Sequence, residues 1–408
     1  MRILIVSQYF WPENFRINDI ALGLKEQGNE VIILTGKPNY PQGSFYKGYS
    51  FAKPSFEYFE DIEIYRVPFI PRGKDNRIML ALNYLSFALF GCIWGLWLLR
   101  KKDFDSIFVF GISPITMAIP AIFLKRIKKA SLLYWVQDLW PESVSSGGNI
   151  NNKFIYSIAD WVTKFVYKNS DLILAQSKGF VSEIQKHNVP LKKIKYYPNY
   201  AENIYSKETI DEKVIHQIIP EGFIVMFAGN IGEAQGFKTI VEAANKVYEE
   251  NKYIYWIIIG DGRKKEWVEE QINNYGLSDV FLFLGSYPSE KMPYFFSLSD
   301  TLLVSLKDDY IFSLTIPSKL QSYMAYGKPI LGALNGEPAQ IINDANCGLV
   351  SNSNDFENLA SNVLKMSGYS KKILHEMGEN AKKYCEDKFD RKKLLLELNE
   401  LFLLSKQL

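Results

Sequence analysis

The sequence predicts an α/β protein of two Rossmann-like, doubly wound domains facing a central cleft, and three observations carry that prediction. The chain has 408 residues, more than one hydrophobic core usually holds, so two domains of roughly 200 residues are expected. Short runs of Ile, Val, Leu and Phe alternate with segments of helical period, first from residue 3 and again from residue 223. Glycines punctuate the strand-to-helix turns of the second series, where backbone N–H groups can approach a ligand closely. The expected division is 1–200, 201–390 and a C-terminal helix over 391–408 packing across both, with the charged, irregular stretch from 200 to 220 as the linker.

Composition narrows the function. With 47 basic and 45 acidic residues the chain is not a dedicated nucleic-acid binder. Cys92, Cys347 and Cys385 lie far apart, as do His187, His216 and His375, so neither a metal cluster nor a disulfide framework is expected. The opening MRILIVSQYF has one basic residue and no small-residue cleavage site, so it reads as a first strand rather than a signal peptide, and a cytoplasmic protein is expected.

In the first half, residues 3–6 form a strand, 17–27 a helix closed by Gly28, and 31–34 the next strand. The loop after the first strand of such a unit lies at the sheet's carboxyl edge, where ligands bind. That loop, QYFWPENFR, lacks a dinucleotide glycine fingerprint and offers Pro12, Glu13, Asn14 and Arg16 at the next helix's start instead. Arg16 opposes the positive end of a helix dipole, which suits an anion held between them; the plainer reading is a solvated side chain. The second loop, GKPNYPQG, is a rigid turn carrying Asn39 and Tyr40.

Residues 78–99, IMLALNYLSFALFGCIWGLWLL, contain no charged residue and are long enough to cross a bilayer. Basic residues flank both ends, Asn83 and Ser86 interrupt the run, and a strand follows almost at once. The favoured reading is a helix packed on the sheet by one face and dipping into the membrane interface by the other, with a wholly buried helix and a spanning helix as alternatives. Strands at 106–110 and 132–136 bracket a helix, and the second runs into Gln137-Asp138-Leu139-Trp140-Pro141-Glu142. Asp138 and Glu142, flanking Trp140 at a strand's carboxyl end, are candidates for a general base or an acceptor-hydroxyl ligand.

In the second half, a strand at 223–227 enters Gly229-Asn230-Ile231-Gly232, and a strand at 255–259 enters Gly260-Asp261-Gly262 with Arg263 at the next helix start. The stretch 311–329, IFSLTIPSKLQSYMAYGKP, reads as a turn opening a helix: Pro317 fits its first position, Ser318 helps satisfy first-turn donors, and Gly327 with Pro329 ends it. Lys319 in that first turn is a third cation against a helix dipole, and phosphate is the obvious anion.

These motifs together, SQYFWPENFRINDIA, LTGKPNYPQG, DLWPE, AGNIGEAQGF, IGDGR and IPSKLQSYMAYGKPI, resemble over nearly the whole chain the family-4 glycosyltransferases of the GT-B fold. The match is nearest the bacterial O-antigen and capsule subgroup that includes L-fucosaminyltransferases. The resemblance implies a nucleotide-sugar donor, UDP-linked, in the C-terminal domain and an acceptor in the N-terminal domain. It further implies transfer with retention of configuration and no metal cofactor. Lineage members grip the diphosphate with an Arg and a Lys where this chain has Asn230 and Gln235, and their Glu-x7-Glu motif aligns with Leu314 and Ser322. By the same comparison the N–H groups of Thr315 and Ile316 face the donor, Gln321 or Ser322 takes the ribose, and Lys319, Arg263 and Arg16 supply the phosphate charge. The donor sugar is then a 6-deoxy sugar such as N-acetyl-L-fucosamine. The partner would be a lipid-linked glycan, reached from the cytoplasmic face of the inner membrane by a peripheral or monotopic enzyme. A nucleotide-sugar epimerase and a non-catalytic nucleotide-binding subunit are the alternatives.

Overall fold

The computed structural model describes residues 1–51, 53–74, 76–143, 153–201 and 219–407, so most of the expected linker lies outside the described residues. Two compact units emerge, Met1–Pro198 with Lys392–Leu408, and Asn199–Arg391.

The first unit runs β1 (Arg2–Ser7), α1 (Arg16–Glu26), β2 (Glu30–Thr35), β3 (Ser55–Phe59), β4 (Ile62–Arg66), α2 (Arg77–Leu98), β5 (Ser106–Gly111), α3 (Ala118–Lys128), β6 (Ser131–Val136), α4 (Lys153–Asn169), β7 (Leu172–Ala175), α5 (Lys178–Lys186) and β8 (Ile194–Tyr196). Its sheet has the order β3-β4-β2-β1-β5-β6-β7-β8, parallel except for the β3–β4 hairpin. The strands β5, β6 and β7 are buried along their whole length, and β1 from Ile3 onward, because helices cover both faces. The β3–β4 hairpin is absent from the sequence reading, which assigned nothing between 44 and 77. Its period-2 runs SFEYF and IEIYR are the signature of an edge pair, joined where Glu60 and Asp61 take left-handed backbone.

Helix α2 has its polarity inverted. Asn83, Ser86, Gly91 and Gly95 are buried, while Ile78, Leu82, Leu85, Leu89, Ile93 and Trp97 form one exposed stripe at three- and four-residue spacing. The glycines explain how closely it packs: a Cβ at Gly91 would lie 2.5 Å from Pro120 Cγ, and one at Gly95 2.9 Å from Leu34 Cδ2. By length and composition the helix could cross a membrane, yet a third of its most apolar window is buried in the protein.

The second unit runs β9 (Phe223–Ala228), α6 (Phe237–Glu250), β10 (Ile254–Ile259), α7 (Lys265–Asn274), β11 (Phe281–Gly285), α8 (Met292–Ser297), β12 (Thr301–Ser305), α9 (Tyr310–Leu314), α10 (Ser318–Tyr326), β13 (Ile330–Ala333), α11 (Glu337–Asp344), β14 (Gly348–Ser351), α12 (Phe356–Ser367) and α13 (Lys371–Lys388). Its all-parallel sheet has the order β11-β10-β9-β12-β13-β14. The last helix, α14 (Arg391–Ser405), is grouped almost entirely with the first unit. There Phe402 stacks edge-on against Phe108 at 5.7 Å, Ser405 Oγ bonds Ser131 Oγ at 2.8 Å, and the Tyr197 hydroxyl donates to Leu394 O at 2.7 Å.

Strand order locates the ligand edges. The strands remain parallel, but the order in which successive strands are added across the sheet reverses between β1 and β5 in the first unit and between β9 and β12 in the second. Diverging connections open a crevice at such switch points, beyond the strands' carboxyl ends.

Candidate active site

At the second unit's switch point the turns after β9 and β10 are stitched backbone to backbone. Gly229 N–H donates to Ile259 O, Ile231 N–H to Asp261 O and Lys264 N–H to Ile231 O, at 2.8 to 3.0 Å. Glycine is required on steric grounds, since a Cβ at Gly260 would sit 1.9 Å from Gly229 O and one at Gly262 2.3 Å from Ile231 O. Over this bare backbone lies Lys319, the second residue of α10. Its Nζ donates to Gln235 Oε1 at 2.6 Å, stands 3.8 Å from the Phe227 ring centroid, and would be 3.2 Å from a Cβ at Gly229. Burial pushes its ammonium down to about 7. A lysine held with a neutral amide, a ring face and no carboxylate is poised to gain a proton when an anion arrives.

Helix α10 is anchored by a residue the sequence reading passed over. The buried Tyr323 hydroxyl accepts from Ala228 N at 2.9 Å and donates to Ala228 O at 3.1 Å, fixing the helix to the end of β9. Three sequence assignments are corrected here. Pro317 occupies the cap position and not the first helical one, so Ser318 begins the helix and no side chain caps it. Gln321 is fully buried and donates to Asn199 O at 2.6 Å, on the core side of α10, so it is not placed to bind a ribose. Thr315 uses its N–H on Phe312 O and its hydroxyl on Ile311 O to close α9, so that N–H does not face a donor. The side chain of Ile316 packs into the core beneath α10, which says nothing against its backbone N–H facing a donor. Ser322 is partly exposed and donates to Ser318 O. Asn230 and Arg263 are exposed on the two glycine turns, and α7 begins two residues beyond Arg263, with neighbouring Lys264 paired to Glu233.

In the first unit, carboxylates pin the loops at the switch point. Asp138 Oδ2 accepts from both the backbone N–H and the hydroxyl of Ser113 at 2.7 Å, and Trp140 Nε1 donates to the same hydroxyl at 3.0 Å. Oδ1 accepts no hydrogen bond among the described residues, and burial raises the proton affinity of this carboxyl above the usual range. Glu142 is directed elsewhere, accepting from the Tyr156 hydroxyl of α4 at 3.4 Å, so the two carboxylates do not form a pair around one proton. Glu13, in sequence only one of the polar side chains of its loop, is buried and accepts from the N–H groups of Asn39 and Tyr40 at 2.8 and 2.7 Å; burial lifts its carboxyl to about 7. Asn39 is corrected as an acceptor ligand. It is wholly buried, with its side chain donating to Lys37 O and accepting from Arg72 N–H. Tyr40 remains available as a half-exposed ring against Tyr9 and Phe15, Asn14 is exposed, and Arg16 opens α1 in this unit. Among the described residues no three His, Cys, Asp or Glu side chains gather in a metal-binding arrangement.

Each half of the chain matches a family model: residues 14–200 a glycosyl transferase 4-like domain, and residues 208–384 the glycosyl transferases group 1. WcaI of Escherichia coli (strain K12), assigned as a colanic acid biosynthesis glycosyl transferase, is 25% identical over 80% of this chain and 82% of its own. Two solved structures share the fold. Sucrose-phosphate synthase from Thermosynechococcus elongatus superposes with a TM-score of 0.75 at 15% identity over 99% of this chain and 98% of its own. Anabaena Alr3699/HepE, in complex with UDP and glucose, gives 0.67 at 14% identity over 98% and 99%.

Proposed function

Since the chain is a glycosyltransferase of the GT-B fold, we propose that it transfers a sugar with retention of anomeric configuration, from a UDP-linked donor held by the second unit, to a hydroxyl of a polyprenyl-diphosphate-linked glycan held by the first, in surface polysaccharide synthesis. The observation that carries this reading is the placement of Lys319 over Gly229, beside Gln235. Gln235 stands where relatives by resemblance have the diphosphate-gripping Lys, and the amine of Lys319 reaches that position from α10. The cation is moved to another element rather than lost.

In the proposed reaction the bond from the sugar's anomeric carbon to the diphosphate oxygen breaks, and the acceptor oxygen forms the new bond on the same face. Lys319 and the glycine-turn backbone stabilise the charge left on the diphosphate. Asp138, fixed through Oδ2, offers Oδ1 to the acceptor hydroxyl and takes its proton, a role its raised proton affinity suits. The exposed apolar stripe of α2, with Arg77 before it and Arg100 and Lys101 after it, supports attachment to the cytoplasmic face of the inner membrane. N-acetyl-L-fucosamine is the donor sugar we test first, because Leu314 and Ser322 stand where relatives hold sugar and ribose with glutamates.

The test incubates the full-length protein with a panel of UDP-sugars, UDP-N-acetyl-L-fucosamine included, and membrane lipid extracts, reading lipid-linked product by mass and its anomeric configuration by NMR. A retained glycosidic product supports the proposal. An inverted product, or an epimerised nucleotide sugar released without acceptor, overturns it.

A further inference from the structure

Arg72 stands out among the cations of the first unit because its backbone is fixed and its guanidinium is not used. The segment carrying it is held on both sides: Arg72 N–H donates to Asn39 Oδ1 at 3.0 Å, Gly73 N–H to Gly43 O at 2.9 Å, Ile70 N–H to Ser86 Oγ at 3.0 Å, and Asn83 Nδ2 to Ile70 O at 2.6 Å. Two of those partners, Asn83 and Ser86, are the buried polar residues of α2, which gives these side chains a purpose in an otherwise apolar helix. The guanidinium itself makes no hydrogen bond or ion pair among the described residues and lies over the Tyr40 ring at 4.9 Å. Arg66 in the same unit shows the contrast: fully buried, it bonds Glu57, Gly36 O and Trp11 O. Five unspent N–H donors on a partly buried residue whose backbone is held suit a planar anion or a phosphate.

The surroundings specify which phosphate. Through Asn39 the Arg72 segment is tied to the loop after β2, at the same carboxyl edge of the sheet as the turn after β6 that carries Asp138. Five residues beyond Arg72, α2 begins, and its exposed stripe starts at once with Ile78, 72% exposed. A cation at the start of an apolar stripe, in the unit assigned to the acceptor, matches a ligand with a diphosphate between a sugar and a lipid tail. A bulk lipid headgroup would instead meet the exposed Lys74 and Arg77.

We propose that Arg72, lying against the Tyr40 ring, binds the diphosphate of the lipid-linked acceptor; this rests on the acceptor assignment above.

The experiment uses the full-length protein and farnesyl diphosphate as a short prenyl probe, with farnesol as its phosphate-free control. UDP binding is titrated first, which tests the nucleotide reading independently, and the prenyl titrations are then run at saturating UDP. Wild type is expected to bind farnesyl diphosphate at least about tenfold more tightly than farnesol, and Arg72→Ala to lose about tenfold or more of that affinity while its UDP affinity and melting temperature hold. Arg72→Lys, retaining the charge without the fork, should recover part of it and guards against misfolding of the alanine variant. Equal binding of the two probes, or unchanged farnesyl diphosphate binding in both variants, overturns the proposal. Flotation with vesicles containing phosphatidylglycerol separates the sources: Arg72→Ala floating like wild type supports an acceptor site, and a parallel loss of flotation assigns Arg72 to headgroups and overturns it.

Discussion

At the second unit's switch point the surface presented to a ligand is largely backbone, two glycine turns packed so tightly that no side chain fits between them, with one desolvated lysine above. At the first unit's switch point the backbone N–H groups of Ser113, Asn39 and Tyr40 are already occupied by Asp138 and Glu13, and aromatic side chains line what remains. The same βαβ geometry is therefore finished in two ways. Side-chain-free glycine backbone that a ligand can approach closely, with a cation above it, suits the part of a substrate that never varies, a nucleotide diphosphate. A crevice built from side chains suits the part that differs from one enzyme to the next, the acceptor.

Substitutions on either side can break that contrast. The largest effect is expected for Lys319→Ala, which should lower kcat by about 10³-fold with a melting temperature close to wild type, because charge on the leaving diphosphate is the main barrier. Asp138→Asn should cost about 10²-fold in turnover while leaving the Kd for UDP unchanged, separating acceptor chemistry from donor binding in a single assay pair. Gln235→Glu puts a carboxylate where Lys319 Nζ now meets an amide; it should hold the amine protonated, satisfy it internally and raise the donor KM roughly tenfold.

The smallest effect belongs to Glu13. Its carboxyl is lifted from 4.5 to about 7 on folding, so the folded protein binds the extra proton between those values. The stability this contributes is complete below pH 4.5 and is lost as pH rises through 7. Glu13→Gln removes the titrating group and can keep Oε1 as the shared acceptor, so its melting temperature should match wild type at pH 5 and exceed it by a few degrees at pH 8.

Much of this arrangement is legible in the sequence. The alternation of apolar runs and helical segments gives both sheets, and Gly229, Gly260 and Lys319 follow from turn chemistry and a cation against a helix dipole. What escapes is set by contacts distant in sequence. Glu13 reads as a polar loop residue until Asn39 and Tyr40 fold onto it, and nothing local distinguishes Arg72 from the neighbouring basic residues. Gln321 and Asn39 look like ligands because they are polar and sit in the right motifs, but burial commits both to holding loops. The β3–β4 hairpin escapes because five-residue alternating strands are short beside the long apolar runs around them.

The claim that Lys319 is the relocated diphosphate cation is tested most directly by calorimetry of UDP binding in buffers of differing ionisation enthalpy. A lysine lowered to about 7 is mostly neutral at pH 8 and must be charged beside a diphosphate. Wild type is therefore predicted to take up close to one proton per UDP bound at pH 8, with affinity falling up to roughly tenfold per pH unit above 7, and Lys319→Ala to lose both the affinity and the uptake. UDP binding that is unchanged in Lys319→Ala, or that takes up no proton in wild type at pH 8, would contradict the account.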